Sequence, residues 1–247
     1  MTLKCISLNI RGINKTIKRR KLFRYLHNNK FDVVYLQETY CSKGLEDVWR
    51  NEWGGKGLYA HGSNHSRGVM ILFNPNVDVE FQKTIVDCNG RFIITQALIE
   101  NSSFCFVNLY LPNLQSQQVQ LLNSLQDKLR EFAVENFVIG GDFNCPISDL
   151  DKFGERDNSA KSNTIRAINE VCNNFTLVDI WRQQHPECRR YTWSNPSGKI
   201  KCRLDYWLIS QRLSSQVEKS DITAYYQKDT DHEAVTINIK PDRKSVV

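Results

Sequence analysis

The chain has 247 residues, 40% of them hydrophobic and 24% charged, with eight cysteines and a formal net charge of +6. That length is enough for one large core without covalent staples; no apolar run approaches the roughly 18 residues of a membrane span, and residues 1–6 begin a strand rather than a signal peptide. The cysteines contain no Cys-x-x-Cys pair, which sets aside a zinc knuckle or a redox motif and leaves reduced thiols in a non-secretory compartment as the expectation, while the charge excess is compatible with a polyanionic partner without establishing one.

Residues 4–9 alternate as a strand, and Arg11-Gly12-Ile13-Asn14 turns it into a helix. That helix carries Lys15, Lys18, Arg19, Arg20, Lys21 and Arg24, read as a solvated outer face, with Ile17, Leu22, Tyr25 and Leu26 towards a core. Residues 31–37 form the next strand, ending at Glu38, and 47–53 an amphipathic piece. Successive antiparallel strands are predicted over 58–61, 68–73, 77–86, 91–99 and 103–109, with turns at Asn74-Pro75-Asn76 and Asn89-Gly90. The apolar spacing predicts a helix over 116–132. A buried strand at 137–139 follows, and Gly140-Gly141 release the backbone at a turn. Beyond it, an extended segment would aim Asp142 and Asn144 at one spot and Phe143 away from it.

Residues 150–162 read as a loop, 163–173 as a helix and 177–184 as a short helix. Two strands, 191–194 and 203–209, flank an exposed basic hairpin loop at 195–201, and strands 222–226 and 234–239 close the chain. Two groups of strands, each with helices, predict an α/β fold: a four-layer α/β sandwich of two packed mixed β-sheets flanked by helices. No composition break argues for a second domain within 1–240, and 241–247 reads as a charged tail.

Polar residues stand at several strand ends, where loops gather and sites are built: Asn9, Glu38, Tyr110, Asp142 with Asn144, Asp205, and Asp231-His232. Asp142 beside a neutral amide suits holding and deprotonating a water, although Gly-Gly-Asp-x-Asn alone reads first as a turn with Asx hydrogen bonds. Asn9 and Glu38 alone read as a turn and a loop cap, and Tyr110 as a packed aromatic. Asp205 lies between Leu204 and Tyr206-Trp207 and should not be buried unpaired. Its natural partner is His232; His27, His61, His65 and His185 read as surface positions.

In order, Leu8-Asn9-Ile10-Arg11-Gly12, Leu36-Gln37-Glu38-Thr39, Asn108-Leu109-Tyr110-Leu111-Pro112-Asn113, Gly140-Gly141-Asp142-Phe143-Asn144, Tyr191-Thr192-Trp193-Ser194, Arg203-Leu204-Asp205-Tyr206 and Asp231-His232 together resemble the endonuclease/exonuclease/phosphatase superfamily. The resemblance covers nearly the whole chain. It is strongest to the apurinic/apyrimidinic endonuclease branch and, within it, to the endonuclease domain of LINE-type (non-LTR) retrotransposons.

The resemblance implies a Mg2+ ion, with Mn2+ as a substitute, held by Glu38 with help from Asn9. It casts Asp142 as the base and Asn144 as its orienting partner. His232 would meet the scissile phosphate, kept in place by Asp205, while Asp231 supports that pair or reaches the metal. Tyr110 and Asn113 would bind phosphate oxygens. Double-stranded DNA would be contacted by Arg11, Thr192, Asn195, Ser197, Lys199, Lys201 and Thr230, the last standing where the family often has serine. The implied product is a nick with a 3′-hydroxyl. That end would prime reverse transcription by a polymerase region of the same polyprotein, in the nucleus, after synthesis in the cytoplasm. Repair of abasic sites, cleavage of RNA, a small-phosphoester phosphatase and an inactive nucleic-acid-binding module are the competing readings.

Overall fold

The computed structural model describes residues 2–63, 65–154, 162–225 and 230–240. β1 (Leu3–Asn9) leads through α1 (Thr16–Asn28) to β2 (Val33–Gln37), which lies parallel to it with Ile6 opposite Val34. Parallel neighbours need a crossover, and α1 supplies it. α2 (Glu46–Trp53) ends at Gly54, whose φ of 78° is the left-handed conformation that stops a helix. β3 (Gly57–Ala60) and β4 (Val69–Phe73) complete this half, and β2, central in its sheet, is buried along its whole length.

β5 (Val79–Val86), β6 (Phe92–Ile99) and β7 (Ser102–Tyr110) form an antiparallel meander, and α3 (Gln115–Leu129) crosses to β8 (Phe137–Asp142), parallel to β7. Then come β9 (Lys152–Phe153), α4 (Ser162–Asn174), β10 (Leu177–Asp179), α5 (Ile180–Gln184), β11 (Trp193–Ser194), β12 (Lys201–Cys202), β13 (Asp205–Ser210), β14 (Val217–Thr223) and β15 (Ala234–Ile239). Among the described residues, one six-stranded sheet has the order β14-β15-β1-β2-β4-β3 and the other β10-β13-β8-β7-β6-β5, and both mix parallel with antiparallel pairs. β11, β12 and β9 make a third, small sheet.

One apolar core lies between the two large sheets, where Tyr35 meets Val138 and Trp207. A second lies under α3 and α4, and a third under α1 and α2. This is the predicted four-layer sandwich. No helix among the described residues is long and apolar enough to cross a membrane.

Several local expectations change. Arg19, Leu22, Phe23 and Leu26 form the buried face of α1, while Ile17 is 73% exposed. Three- and four-residue steps carry Arg19 under the helix, where its guanidinium donates to Ile13 O, Asn14 O and Glu52. Gly140 and Gly141 do not turn the chain but lie inside β8. A Cβ on Gly140 would stand 2.6 Å from the Trp207 ring, and one on Gly141 would stand 1.9 Å from Leu109 O, so the pair permits close approach. Residues 177–184 divide into β10 and α5, because the Asp179 side chain caps the helix by accepting from Arg182 N. The strands of 191–194 and 203–209 do not pair with each other: β11 pairs with β12, and β13 with β8 and β10. The strand placed at 222–226 begins earlier, at Val217, and Tyr226 lies outside the described residues, as do 155–161 of the loop and the tail 241–247.

A buried ionic cluster pins the start of β13. Arg203, 1% exposed, donates to Asp151 at 2.7 and 3.1 Å and to Asp179 at 2.5 and 3.0 Å, and Arg182 adds a 2.7 Å pair to Asp151. Burial pushes the Asp151 carboxyl up, but hydrogen bonds and charge from Arg203 and Arg182 outweigh it and hold the group below the usual carboxylate range. Asp151→Asn leaves a buried guanidinium short of its counter-charge and should lower stability by about 3–5 kcal/mol in urea denaturation. Since a depressed folded-state pKa stabilises above the unfolded value of about 3.9 and fails as pH falls through the folded value, the gap between the two proteins should hold from neutral pH to about pH 5 and close in stronger acid.

Candidate active site

The parallel pairs β1–β2 and β7–β8 run the same way within their sheets, whereas β13 and β15 run against β8 and β1. The last residues of β1, β2, β7 and β8 therefore share one end of the sandwich with the first residues of β13 and β15. Asn9, Glu38, Tyr110, Asp142, Asp205 and His232 all fall there, with Asp142 directly opposite both Tyr110 and Asp205 in the sheet register.

Asn9 Nδ2 donates to Glu38 Oε1 and to Asp142 Oδ2, each at 2.9 Å, so one amide bridges acids carried by different sheets. Glu38 Oε2 accepts from Tyr40 at 2.9 Å, and Tyr110 stands close enough to feel the Glu38 charge. Burial and the Glu38 charge push the Tyr40 hydroxyl up to about 12 and Tyr110 higher, so both stay protonated donors. His232 Nδ1 lies 2.8 Å from Asp205 Oδ2, and its Nε2 lies 3.9 Å from Asp142 Oδ2, too far for a hydrogen bond. Asp142, Asp205 and His232 are buried. Burial first, and the Asp205 charge with it, hold the Asp142 carboxyl well above the usual range, against the pull of His232. Burial works to lower His232, but the carboxylates of Asp205 and Asp142 outweigh it and keep the ring an imidazolium at neutral pH.

The structure brings together Asn9, Glu38, Tyr110, Asp142, Asp205 and His232, and the pairing of Asp205 with His232 is as predicted. Other residues stand differently. β8 ends at Asp142, and Asn144 has a φ of 48°, so the two do not share a face by strand alternation. Asn144 holds Asp142 through its backbone N–H, 2.8 Å from Oδ1, and gives its side-chain amide to Leu111 O. The Asn9 oxygen accepts from Arg11 N at 3.2 Å, and what Asn9 turns towards Glu38 is nitrogen. Thr192 is fully buried, and its Oγ1 accepts from Leu204 N and Asp205 N, which makes it a brace for the acid rather than a DNA contact. Thr230 makes the expected hydroxyl bond, donating to Asn9 O and accepting from His232 N, and so works inward as well.

Asp231 bonds neither to the His232–Asp205 pair nor to Glu38, though its charge helps to raise His232: its Oδ2 accepts from Trp193 Nε1 at 2.9 Å and meets Arg11 at 3.1 Å. Asn195 closes the hairpin turn by accepting from Gly198 N and Ile200 N, leaving Ser197 and Lys199 exposed and Lys201 half-buried beside Phe153 of β9. Asn113 is exposed just beyond Tyr110. Sequence reasoning passed over Tyr40, Arg203 and Arg91, whose guanidinium stands 4.9 Å from the Tyr110 ring centre. The last had a signal, since it follows the Asn89-Gly90 turn directly. A cleft of about 610 Å³ opens beside His232, lined by Arg189, Arg190 and Lys201 and also by Asp231 and Glu233.

Two places offer oxygen to a cation. Asp142, Asp205 and His232 bring one ligand atom each within 4.8 Å of one another. They are nevertheless a poor magnesium site, because magnesium takes oxygen ligands and His232, held as an imidazolium by Asp205, has no lone pair to give. The half-buried Glu38 carboxylate, ringed by neutral N–H and O–H donors, is the hard-oxygen group that fits.

Residues 6–232 match the Endonuclease/Exonuclease/phosphatase family. The chain belongs to that family, and it is a nuclease. It is 27% identical over 225 residues to the transposon TX1 uncharacterized 149 kDa protein of Xenopus laevis, a match covering 90% of this chain and 17% of that protein. With the DNA-(apurinic or apyrimidinic site) endonuclease of Dictyostelium discoideum it shares 25% identity over 256 residues, 93% of this chain and 68% of the relative. Its fold is similar to that of AP endonuclease LMAP from Leishmania major, with a TM-score of 0.83 at 19% identity over 98% of this chain and 88% of that one.

Thr192→Val removes the acceptor of two buried N–H groups and should cost about 1–3 kcal/mol in chemical denaturation, whereas Thr192→Ser should restore most of the loss.

Proposed function

We propose that the chain is a Mg2+-dependent DNA endonuclease, with Mn2+ as a substitute, that nicks one strand of duplex DNA for a LINE-type retrotransposon. The 3′-hydroxyl left at the nick would prime reverse transcription by a polymerase region of the same polyprotein. The observation that carries this reading is the line of side chains Glu38–Asn9–Asp142 facing the pair His232–Asp205. The match to a transposon protein of which this chain spans 17% supports a nuclease segment within a larger polyprotein, and the reading implies work in the nucleus after synthesis in the cytoplasm.

Hydrolysis of a phosphodiester needs a base for water, a counter-charge for the phosphate and a stabilised leaving oxygen. Asp142 is the base. Asn9 and the Asn144 N–H aim its carboxylate, and its raised pKa suits a group that must take a proton near neutrality. His232, charged because Asp205 holds Nδ1, presents Nε2 to a phosphate oxygen. Tyr40 and Asn9 fix the Glu38 carboxylate, and Tyr110 with the exposed Asn113 reaches phosphate oxygens. Glu38 would hold the Mg2+ ion, which when bound would supply Lewis-acid stabilisation of the charge that develops on the phosphate and the leaving oxygen.

A second reading, incision at abasic sites, is favoured by the likeness to the Dictyostelium enzyme. Comparison of an abasic duplex with an intact plasmid separates the two. Nicking of supercoiled plasmid in Mg2+ should fall by about 10²-fold or more in Asp142→Asn and in His232→Ala with the fold retained, and near-wild-type nicking by either would refute the assignment. The hairpin 195–201, with Ser197, Lys199 and Lys201, would lie in the minor groove and favour easily deformed sequence. Replacing it should therefore move the cleavage positions on a long natural DNA, and an unaltered map would remove the loop from target choice.

A further inference from the structure

We propose that Arg11 is the built-in second cation of this centre, held at its mouth by Asp231, and that the centre takes a single divalent ion, at Glu38. The inference rests on the site acting on a phosphodiester.

Arg11 has a φ of 49°, which turns the chain sharply out of β1, and its N–H is anchored on Asn9 Oδ1. Its guanidinium Nη1 lies 3.1 Å from Asp231 Oδ2, and the Trp193 indole N–H donates to that same oxygen at 2.9 Å. Asp231 is thus fixed from two sides, by a cation and by a rigid ring. The pair is not buried: Arg11 is 55% exposed and Asp231 35%. At that exposure an ion pair adds little to stability, so its consequence is where it leaves the guanidinium, on the residue next to His232 and close enough to Tyr40, the partner of Glu38, for its charge to act there.

The acids of the site are already committed. Asp142 accepts from Asn9 and Asn144, and Asp205 holds His232. Among the described residues the group of converging ligand atoms apart from Glu38 is Asp142, Asp205 and His232, and a second ion would have to break the His232–Asp205 bond to enter it. A dication on Asp231 would also stand against the guanidinium already there. Glu38 with water is a sufficient magnesium site. Arg11 spends part of its fork on Asp231 and keeps other donors for phosphate oxygens, which a planar guanidinium binds in bidentate fashion. Asp231 is then a positioning residue.

The test uses the full chain. Binding of Mn2+, read by the electron paramagnetic resonance signal of the free ion, should give one site per chain. Asp231→Asn should leave its affinity within about twofold, whereas Glu38→Gln should weaken it about tenfold or more. Duplex binding in EDTA, measured across salt concentrations, should lose about one unit of the log–log slope in Arg11→Gln, and Arg11→Lys should restore it. Asp231→Asn should not weaken duplex binding, since it removes a negative charge, yet should lower the nicking kcat about tenfold because the guanidinium is no longer aimed. Two Mn2+ per chain, a loss of Mn2+ affinity in Asp231→Asn matching that of Glu38→Gln, or an unchanged slope in Arg11→Gln would each overturn the proposal. A wild-type chain that nicks while binding two ions sinks this inference alone, whereas one that cleaves no DNA sinks the nuclease mechanism while the ion count is still read.

Discussion

Burying two carboxylates beside one histidine is unfavourable unless each charge meets another, and Asp142, Asp205 and His232 lie close enough for the imidazolium to answer both acids. Asn9 and the Asn144 N–H take up Asp142, and Thr192 holds the Asp205 backbone N–H, so the group is oriented as well as neutralised. Its charges are misplaced for stability and well placed for chemistry: an acid that resists ionisation next to a base that resists losing its proton.

The sandwich is shaped around that group. β8 carries no side chain at Gly140, where the Trp207 and Tyr35 rings pack, or at Gly141, where Leu109 O comes close, and so Asp142 arrives at the seam between the sheets. Tyr35, from the other sheet, donates to Val138 O of β8 and ties the two layers together four residues before the acid. On the far side the Arg203 cluster fixes the start of β13 two residues before Asp205. Both acids thus sit on strands locked by packing and ion pairs, while the hairpin 195–201 and Arg11 stand at the rim in solvent.

Charge is divided by depth. The acids Asp142 and Asp205 lie inside, and at the opening and the cleft beside it the cations Arg11, Arg91, Arg189 and Arg190 outnumber the acids Asp231 and Glu233. A backbone of phosphates approaching such a mouth meets positive charge before it reaches the carboxylates, which would otherwise repel it.

Strand periodicity, the turn at Asn89-Gly90 and the polar residues at strand ends were legible in the sequence, because each is a local property of a few adjacent residues. The order of motifs carried the family, and the unpaired look of Asp205 carried its bond to His232. Reach across the chain was not legible. Thr192 and Thr230 have the hydroxyls of a DNA contact and spend them on Asp205, Asn9 and His232, and Asp231 turns from its neighbour His232 to Arg11 and Trp193. Arg203 with Asp151 and Asp179 joins segments with no shared pattern. Which polar atom satisfies which is decided only when strands distant in sequence are laid side by side, since a buried donor takes whichever acceptor packing leaves within about 3 Å.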